Sequence, residues 1–148
     1  GRAWRDHAIL YRANAQSRAL ESAFAARGIP YRIYGGQRFF ERAEVKHVLA
    51  YLRLMDNPGD DTSFQRVVNF PMRGIGARTI ETLAGEAAAR GLTLFGTLFA
   101  PDYKVPAKLA VFRELSMKMR EEADALNLQD VIKLVIVRSG LEAHYKTE

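Results

Sequence analysis

The spacing of apolar residues changes near residue 37, and this change constrains the fold more than any other feature of the sequence. Residues 8–12 form a short apolar run, and residues 31–34 alternate in the manner of a half-buried strand. Between them, a helical stripe through Leu20 and Phe24 ends at Gly28. Strand, helix and strand in this order predict a βαβ unit, which favours a parallel sheet at the edge of a larger α/β layer.

Beyond residue 37 the apolar spacing is helical. Val45, Val48 and Leu52 recur on one helical face, so the pattern predicts an amphipathic helix over residues 42–56. Further helices are predicted at residues 77–90, 105–126 and 128–139, two of them ended by Gly91 and Gly140, with shorter ones near residues 64–68 and 92–99. The expected fold is therefore mainly α, with a short βαβ segment before the helices.

Composition excludes several classes of protein. With 48% hydrophobic and 26% charged residues, the 148-residue chain is predicted to be globular and not disordered. No apolar run approaches the ~20 residues of a membrane span, and charged residues near the N-terminus interrupt any signal-peptide pattern. Cysteine is absent, which excludes disulfides, thiolate metal sites and cysteine nucleophiles and suits a reducing cytoplasm.

The net charge of +5 is spread unevenly along the chain. Residues 1–53 carry ten Lys and Arg against four Asp and Glu, whereas the remainder carries twelve against thirteen. A chain whose first third is positively charged and whose remainder is nearly neutral is typical of a protein that presents one side to a polyanion. Scattered, solvated arginines on a basic protein are the alternative explanation, and charge alone does not separate the two.

Residues 70–79, Phe-Pro-Met-Arg-Gly-Ile-Gly-Ala-Arg-Thr, hold the most informative motif for function. Glycines on both sides of Ile75 let backbone N–H groups approach a ligand that a Cβ would hold off. The predicted helix that follows adds unpaired donors and a partial positive charge, which favour a phosphate. Arg73 and Arg78 are expected to close on the same anion, with the Thr79 hydroxyl as a further donor. The alternative is a helix connection whose glycines only relieve strain.

A basic ridge is predicted on the first long helix. Arg42, Lys46 and Arg53 lie at positions i, i+4 and i+11, within about 40° of one another around the helix axis. Such a ridge, followed closely by a phosphate-binding turn, is suited to a nucleic-acid backbone. A solvated Lys/Arg face is the alternative for the ridge taken alone.

The sequence carries none of the common catalytic motifs. It lacks G-x-x-x-x-G-K-[ST], His-Glu-x-x-His, Gly-x-Ser-x-Gly and Asp-x-Asp-x-Asp-Gly stretches. His7, His47 and His144 are widely separated and are predicted to be surface or packing residues, and Asp60 and Asp61 are predicted to be loop and cap residues. No catalytic residue and no metal ligand is predicted, so the chain alone is expected to be inactive.

Four stretches of the first 80 residues resemble the UvrD/PcrA/Rep family of superfamily 1 DNA helicases, in family order and spacing. They are residues 8–18 (AILYRANAQSR), 30–36 (PYRIYGG), 38–46 (RFFERAEVK) and 73–76 (RGIG). The later residues match only loosely, through helical pattern and a Ser-Gly-Leu stretch at 139–141.

The resemblance implies that residues 1–36 are part of the second, RecA-like motor domain, called 2A. Residues 37–148 would be most of the inserted helical accessory domain, called 2B, incomplete at its C-terminus and containing a turn like that of a helix-hairpin-helix. The chain is therefore expected to be a fragment.

The resemblance also implies roles for individual residues. Arg12 and Asn14 match the motif that helps to hold single-stranded DNA in the motor cleft. The expected duplex-binding residues are the two basic positions Lys46 and Arg53, and the turn residues Arg73, Gly74, Ile75, Gly76, Arg78 and Thr79.

The function implied is that of a fragment of an ATP-dependent 3′-to-5′ DNA helicase, a hydrolase acting on ATP, in bacterial DNA repair and replication. ATP and Mg would serve the parent protein, and no cofactor is expected in this fragment. The fragment is expected to contact duplex and single-stranded DNA without regard to sequence, and to regulate the helicase. A cytoplasmic, nucleoid-associated location is expected, with repair-protein partners and self-association through a truncated sheet edge as further possibilities. The alternative is a stand-alone DNA-binding or protein-interaction module of a repair protein.

Overall fold

The computed structural model describes residues 3–34 and 39–147, without the side chain of Asn14. The chain divides into two compact units, Gly1–Val45 and Lys46–Glu148. Within the described residues there are α-helices and short 3-10 turns and no strand. The α-helices are α1 Ser17–Ala26, α2 Ala43–Asp56, α3 Asp61–Val67, α4 Ala77–Arg90, α5 Leu94–Thr97, α6 Ala107–Ala123, α7 Leu128–Arg138 and α8 Leu141–Thr147.

In the first unit, the predicted βαβ segment is wrong for the residues that the structure describes. Residues 8–12 and 31–34 are not strands, and Leu10 and Tyr34 are 95% and 84% exposed. The end of the second predicted strand, at Gly35 and Gly36, lies outside the described residues. A parallel strand needs hydrogen-bonded neighbours and cover on both faces, and the described residues supply neither. The apolar pattern indicates which residues favour burial, but it does not predict whether a partner strand is available.

The helical predictions for the remainder are confirmed. The prediction of 77–90 agrees with α4, and α2, α6 and α7 begin and end within three residues of their predicted bounds. Gly91 ends α4 with a φ of +63°, as the sequence predicts for a C-terminal glycine. Helix α8 was not predicted, because residues 141–147 are too few to show a helical period against the background.

The core of the second unit contains apolar side chains from seven helices, α2 to α8. Phe64 of α3 packs edge-on against Phe112 of α6 and Phe95 of α5, with ring centroids 5.6 Å and 6.3 Å apart. Leu83 of α4 and Val135 of α7 are fully buried in the same cluster. Burying each side chain of this size contributes about 1.5–3 kcal/mol. This packing fixes α3 and α4 relative to the helices behind them.

Asp60 confirms the predicted cap at the start of α3. One carboxylate oxygen accepts the Ser63 N–H at 2.9 Å and the other accepts the Ser63 hydroxyl at 2.7 Å. These two hydrogen bonds, with a smaller contribution from Arg53, hold the pKa of Asp60 below its ordinary value of 3.8. Asp61 accepts the N–H of Leu94 at 2.8 Å and so ties α3 to α5. Both aspartates are therefore structural.

Replacing Asp60 with alanine is expected to lower the urea midpoint at neutral pH, because the first turn of α3 loses its cap. A carboxylate with a depressed folded-state pKa contributes stability above its unfolded pKa and loses it as the pH falls through the folded pKa. The midpoints of wild type and Asp60→Ala should therefore converge on acidification below pH 3.8. Urea titrations across this range check the prediction, and a gap that stays constant into strong acid contradicts it.

None of the helices within residues 3–34 and 39–147 has the length and apolar character that a membrane span requires.

Candidate nucleic-acid interface

The Gly-Ile-Gly motif lies in a compact hairpin, formed by α3, α4 and the connecting residues 68–76. The side-chain carbonyl of Asn69 accepts two backbone N–H groups of this loop, from Arg73 at 2.9 Å and from Ile75 at 3.0 Å. Ile75 is 2% exposed and anchors the loop in the core. Gly74 has a φ of +69°, a left-handed conformation that favours glycine. The hairpin is therefore a fixed structure whose tip is set by Asn69, Gly74 and Ile75.

Arg73, which the sequence predicts to close on an anion together with Arg78, is half-buried and turned toward acceptors of its own unit. Its guanidinium donates four hydrogen bonds, to the carbonyls of Val67 and Pro71 at 3.1 Å each, to the Tyr51 hydroxyl at 2.7 Å and to the Ser139 carbonyl at 2.9 Å. With its hydrogen-bonding capacity directed to these acceptors, Arg73 joins the hairpin to α2 and to the end of α7.

Tyr51 is the one side-chain acceptor among the four hydrogen-bond partners of the Arg73 guanidinium. Its hydroxyl donates to the carbonyl of Phe70 at 2.6 Å while it accepts from Arg73. Burial raises the pKa of Tyr51 to about 12, and Arg73 opposes that rise only in part. The phenol therefore stays protonated at neutral pH, and it acts as a structural donor.

An aromatic stack supports the hairpin from behind. The ring of His47 lies parallel to that of Phe70, with centroids 3.7 Å apart and planes 14° apart, and His47 Nδ1 lies 2.8 Å from the Tyr145 hydroxyl. His144 contacts the same phenylalanine edge-on, at 4.7 Å. The prediction that His47 and His144 are packing or surface residues is confirmed, and the stack connects α8 with α2 and the hairpin.

The exposed side of the hairpin carries the remaining turn residues. Gly76 is the N-cap of α4 and has no side-chain hydrogen bond at that cap, and the first turn of α4 contains no acidic residue. Gly74, Gly76 and Arg78 are exposed, whereas Thr79 is half-buried and its N–H donates to the Gly76 carbonyl at 3.0 Å. An uncapped helix start with an exposed arginine is chemically suited to an anion.

Two residues of the predicted basic ridge, Lys46 and Arg53, lie on α2 in the second unit. Both are exposed, and their seven-residue separation puts them on the same helical face. Arg53 lies close enough to Asp60, at the start of α3, to help lower its pKa. Arg42, the third residue of the predicted ridge, precedes α2 and belongs to the first unit.

The two residues expected to contact single-stranded DNA lie in the first unit. Arg12 is exposed, and its backbone N–H donates to the Gln16 side chain at 3.1 Å. Asn14 begins the 3-10 turn Asn14–Gln16. The structure thus gives Arg12 an exposed position and places the backbone of Asn14 in the turn before α1.

Sequence reasoning missed Lys108, at the start of α6. Its ammonium donates to the Gly74 carbonyl at 2.9 Å, across 34 residues of sequence. It also missed Tyr51 and Ser139 as the partners of Arg73. These contacts join segments that are distant in sequence, so no local pattern predicts them. The loose family match at residues 139–141 was the one sequence feature near Ser139.

Comparison with known proteins adds the family. The sequence matches the UvrD-like helicase C-terminal domain over residues 1–146. It is 37% identical over 145 residues to the ATP-dependent DNA helicase PcrA of Staphylococcus aureus (strain Mu50), and 38% identical over 148 residues to that of Bacillus subtilis (strain 168). These alignments cover 95% and 97% of this chain but 20% of each relative, so the chain spans about one fifth of the length of the relatives that it matches. With a family match that extends over nearly every residue, this chain belongs to the UvrD-like helicase C-terminal domain family.

Proposed function

We propose that this chain is part of an ATP-dependent 3′-to-5′ DNA helicase of the bacterial cytoplasm, and that its hairpin binds the backbone of duplex DNA. The observation that carries the binding proposal is the start of α4, where an uncapped Gly76 and an exposed Arg78 stand together with no acidic residue in the first turn. Names of relatives that are ATP-dependent DNA helicases support the activity of the whole protein.

The contacts are those of phosphate binding. Backbone N–H groups at a helix start and a guanidinium bind phosphate oxygens, which are the same at every step of the duplex. Lys46 and Arg53 extend the positive charge along α2, and their exposure leaves them accessible to a second stretch of backbone. Such contacts fix position without reading bases, so binding is sequence-independent and salt-sensitive.

The rest of the helicase chemistry is assigned outside this chain. ATP and Mg would serve the whole protein, yet the described residues hold no group of three or more His, Asp or Glu side chains that could bind a metal ion. No step through the nucleotide–metal site is assigned to these residues. Residues 1–36 are proposed as a segment of motor domain 2A, in which Arg12 and Asn14 contact single-stranded DNA. Residues 37–148 are proposed as most of the accessory domain 2B, which has a regulatory role. Nucleoid association and repair-protein partners remain predictions, whereas self-association through a sheet edge loses its basis because the described residues contain no strand.

The chain is expected to bind two labelled duplexes of unrelated sequence with equal affinity at low salt, because phosphate contacts carry no sequence information. Affinity should fall steeply for both as salt is raised, with the logarithm of the association constant linear in the logarithm of salt concentration. Fluorescence anisotropy measures both quantities. Absence of binding to duplex and single strand at low salt would overturn the proposal and favour the protein-interaction alternative; a strong preference for one sequence would overturn the phosphate mechanism.

A further inference from the structure

The second unit contains a pocket between α2, α5 and α6, and none of the residues that line it belongs to the hairpin loop. Its volume of about 540 Å³ lies within the range of roughly 300–1,000 Å³ that is typical of small-molecule sites. Aromatic rings and methionines form most of its walls, contributed by Tyr51, Met55, Phe95, Phe99, Met117 and Met119. Methionine side chains adapt to the shape of a guest and make favourable contacts with aromatic rings. The walls therefore suit an apolar body.

The two buried hydroxyl groups among the lining residues already donate to backbone carbonyls. The Ser116 hydroxyl donates to the carbonyl of Phe112 at 3.0 Å, and the Tyr51 hydroxyl donates to the carbonyl of Phe70 at 2.6 Å. A hydroxyl has one proton to donate, so neither is available to a polar group of a ligand. The inner part of the pocket therefore favours the apolar end of a guest, and the polar end has to lie at the mouth.

Two carboxylates of α6 and its C-cap stand at this mouth. Glu121 and Asp124 line the pocket and are exposed. Two other carboxylates of α6, Glu114 and Glu122, form ion pairs with a lysine and an arginine, each at 3.0 Å. The ion pairs within residues 3–34 and 39–147 include neither Glu121 nor Asp124. Their negative charge is therefore available to a cation at the mouth.

The ends of two helices add to the negative charge there. Leu54 and Met55 belong to the last turn of α2, and Arg120 and Glu121 to the last turn of α6. The C-terminal end of a helix carries a partial negative charge. Arg120 is the single cation among the lining residues and offsets one of the two carboxylates. The mouth is thus negative on a chain whose net charge is +5.

We propose that this pocket binds a small organic cation, namely an aromatic or branched apolar body that carries one amine. The body packs against the methionines and aromatic rings, and the ammonium donates to Glu121 and Asp124 at the mouth. None of the lining residues belongs to the surface proposed to bind phosphates. The inference is therefore independent of the proposed function, and it gives the second unit a binding site apart from DNA.

The test titrates the 148-residue chain with naphthylmethylamine, naphthylmethanol and naphthylacetate, which share one ring system and are cationic, neutral and anionic at neutral pH. The amine is expected to bind several-fold more tightly than the alcohol, and the acetate more weakly than both, although the net charge of +5 favours an anion. Ligand-observed NMR titrations measure the three dissociation constants.

Two double variants locate the charge that selects the amine. Glu121→Gln/Asp124→Asn should lose the preference for the amine and keep the affinity for the alcohol. Glu114→Gln/Asp130→Asn removes the same charge from carboxylates that do not line the pocket, and it should keep the preference. Met117→Ala removes part of the apolar wall and should weaken the amine and the alcohol alike. Urea midpoints check that each variant is folded.

Several results would overturn the inference. Equal affinities for the amine and the alcohol would show that the mouth does not select a cation. Tightest binding of the acetate would show that net charge governs. Amine binding that neither Glu121→Gln/Asp124→Asn nor Met117→Ala weakens would place the probe elsewhere, and absence of saturable amine binding at millimolar concentration would exclude the site.

Discussion

Replacing Arg73 with methionine is expected to lower the free energy of unfolding by about 1–3 kcal/mol, the range for leaving acceptors of a part-buried hydrogen-bond network without their donor. The guanidinium donates to three carbonyls and to Tyr51, and it lies over the ring of Phe112, with 5.5 Å from the guanidinium carbon to the ring centroid. Methionine fills much of the space but leaves several acceptors without a donor, which costs more than the bonds themselves contribute. Urea titration followed by circular dichroism measures the change.

Arg78→Met is the matched control for this prediction. The same substitution is made in the same hairpin, but at an exposed side chain, so the expected change in stability is within about 0.5 kcal/mol. Arg73→Lys should not rescue, because one ammonium cannot reach acceptors that the guanidinium fork serves from two nitrogens. Equal urea midpoints for Arg73→Met and Arg78→Met would contradict the structural role of Arg73.

The double variant Lys46→Ala/Arg78→Ala is expected to bind duplex DNA about tenfold more weakly than wild type at low salt, because it removes two of the proposed phosphate contacts. Both side chains are exposed, so the variant should stay folded. Lys118→Ala/Lys133→Ala removes the same total charge from α6 and α7, at lysines that pair with carboxylates. This control should bind nearly as tightly as wild type. Similar losses in the two double variants would show that net charge, and not this surface, determines affinity.

The sequence predicts the helices of the second unit well because their signals are local. Helix α4 begins after a glycine and ends at Gly91, and the apolar residues between them repeat at helical spacing. The predicted strand at residues 8–12 failed for the opposite reason. A strand depends on hydrogen bonds to other segments, and no described segment of this chain supplies them.

Arg73 and Arg78 show the same limit within the candidate site. Both flank the Gly-Ile-Gly motif, and from the sequence they are equivalent ligands for an anion. The structure separates them because Tyr51 and Ser139, which lie 22 and 66 residues away along the chain, accept hydrogen bonds from Arg73. Arg78 has no comparable acceptor among its described contacts and stays exposed. Residue type predicts which chemistry is available, whereas tertiary packing decides which arginine remains accessible.

The central claim is that the hairpin and α2 bind DNA phosphates, and the salt dependence of duplex binding tests it most directly. The measurement is the slope of log association constant against log salt for wild type, Lys46→Ala/Arg78→Ala and the Lys118→Ala/Lys133→Ala control. Two lost phosphate contacts should reduce the magnitude of the slope by about 1.8 in the first variant, while the control keeps the slope of wild type. A slope for Lys46→Ala/Arg78→Ala equal to that of wild type would contradict the claim.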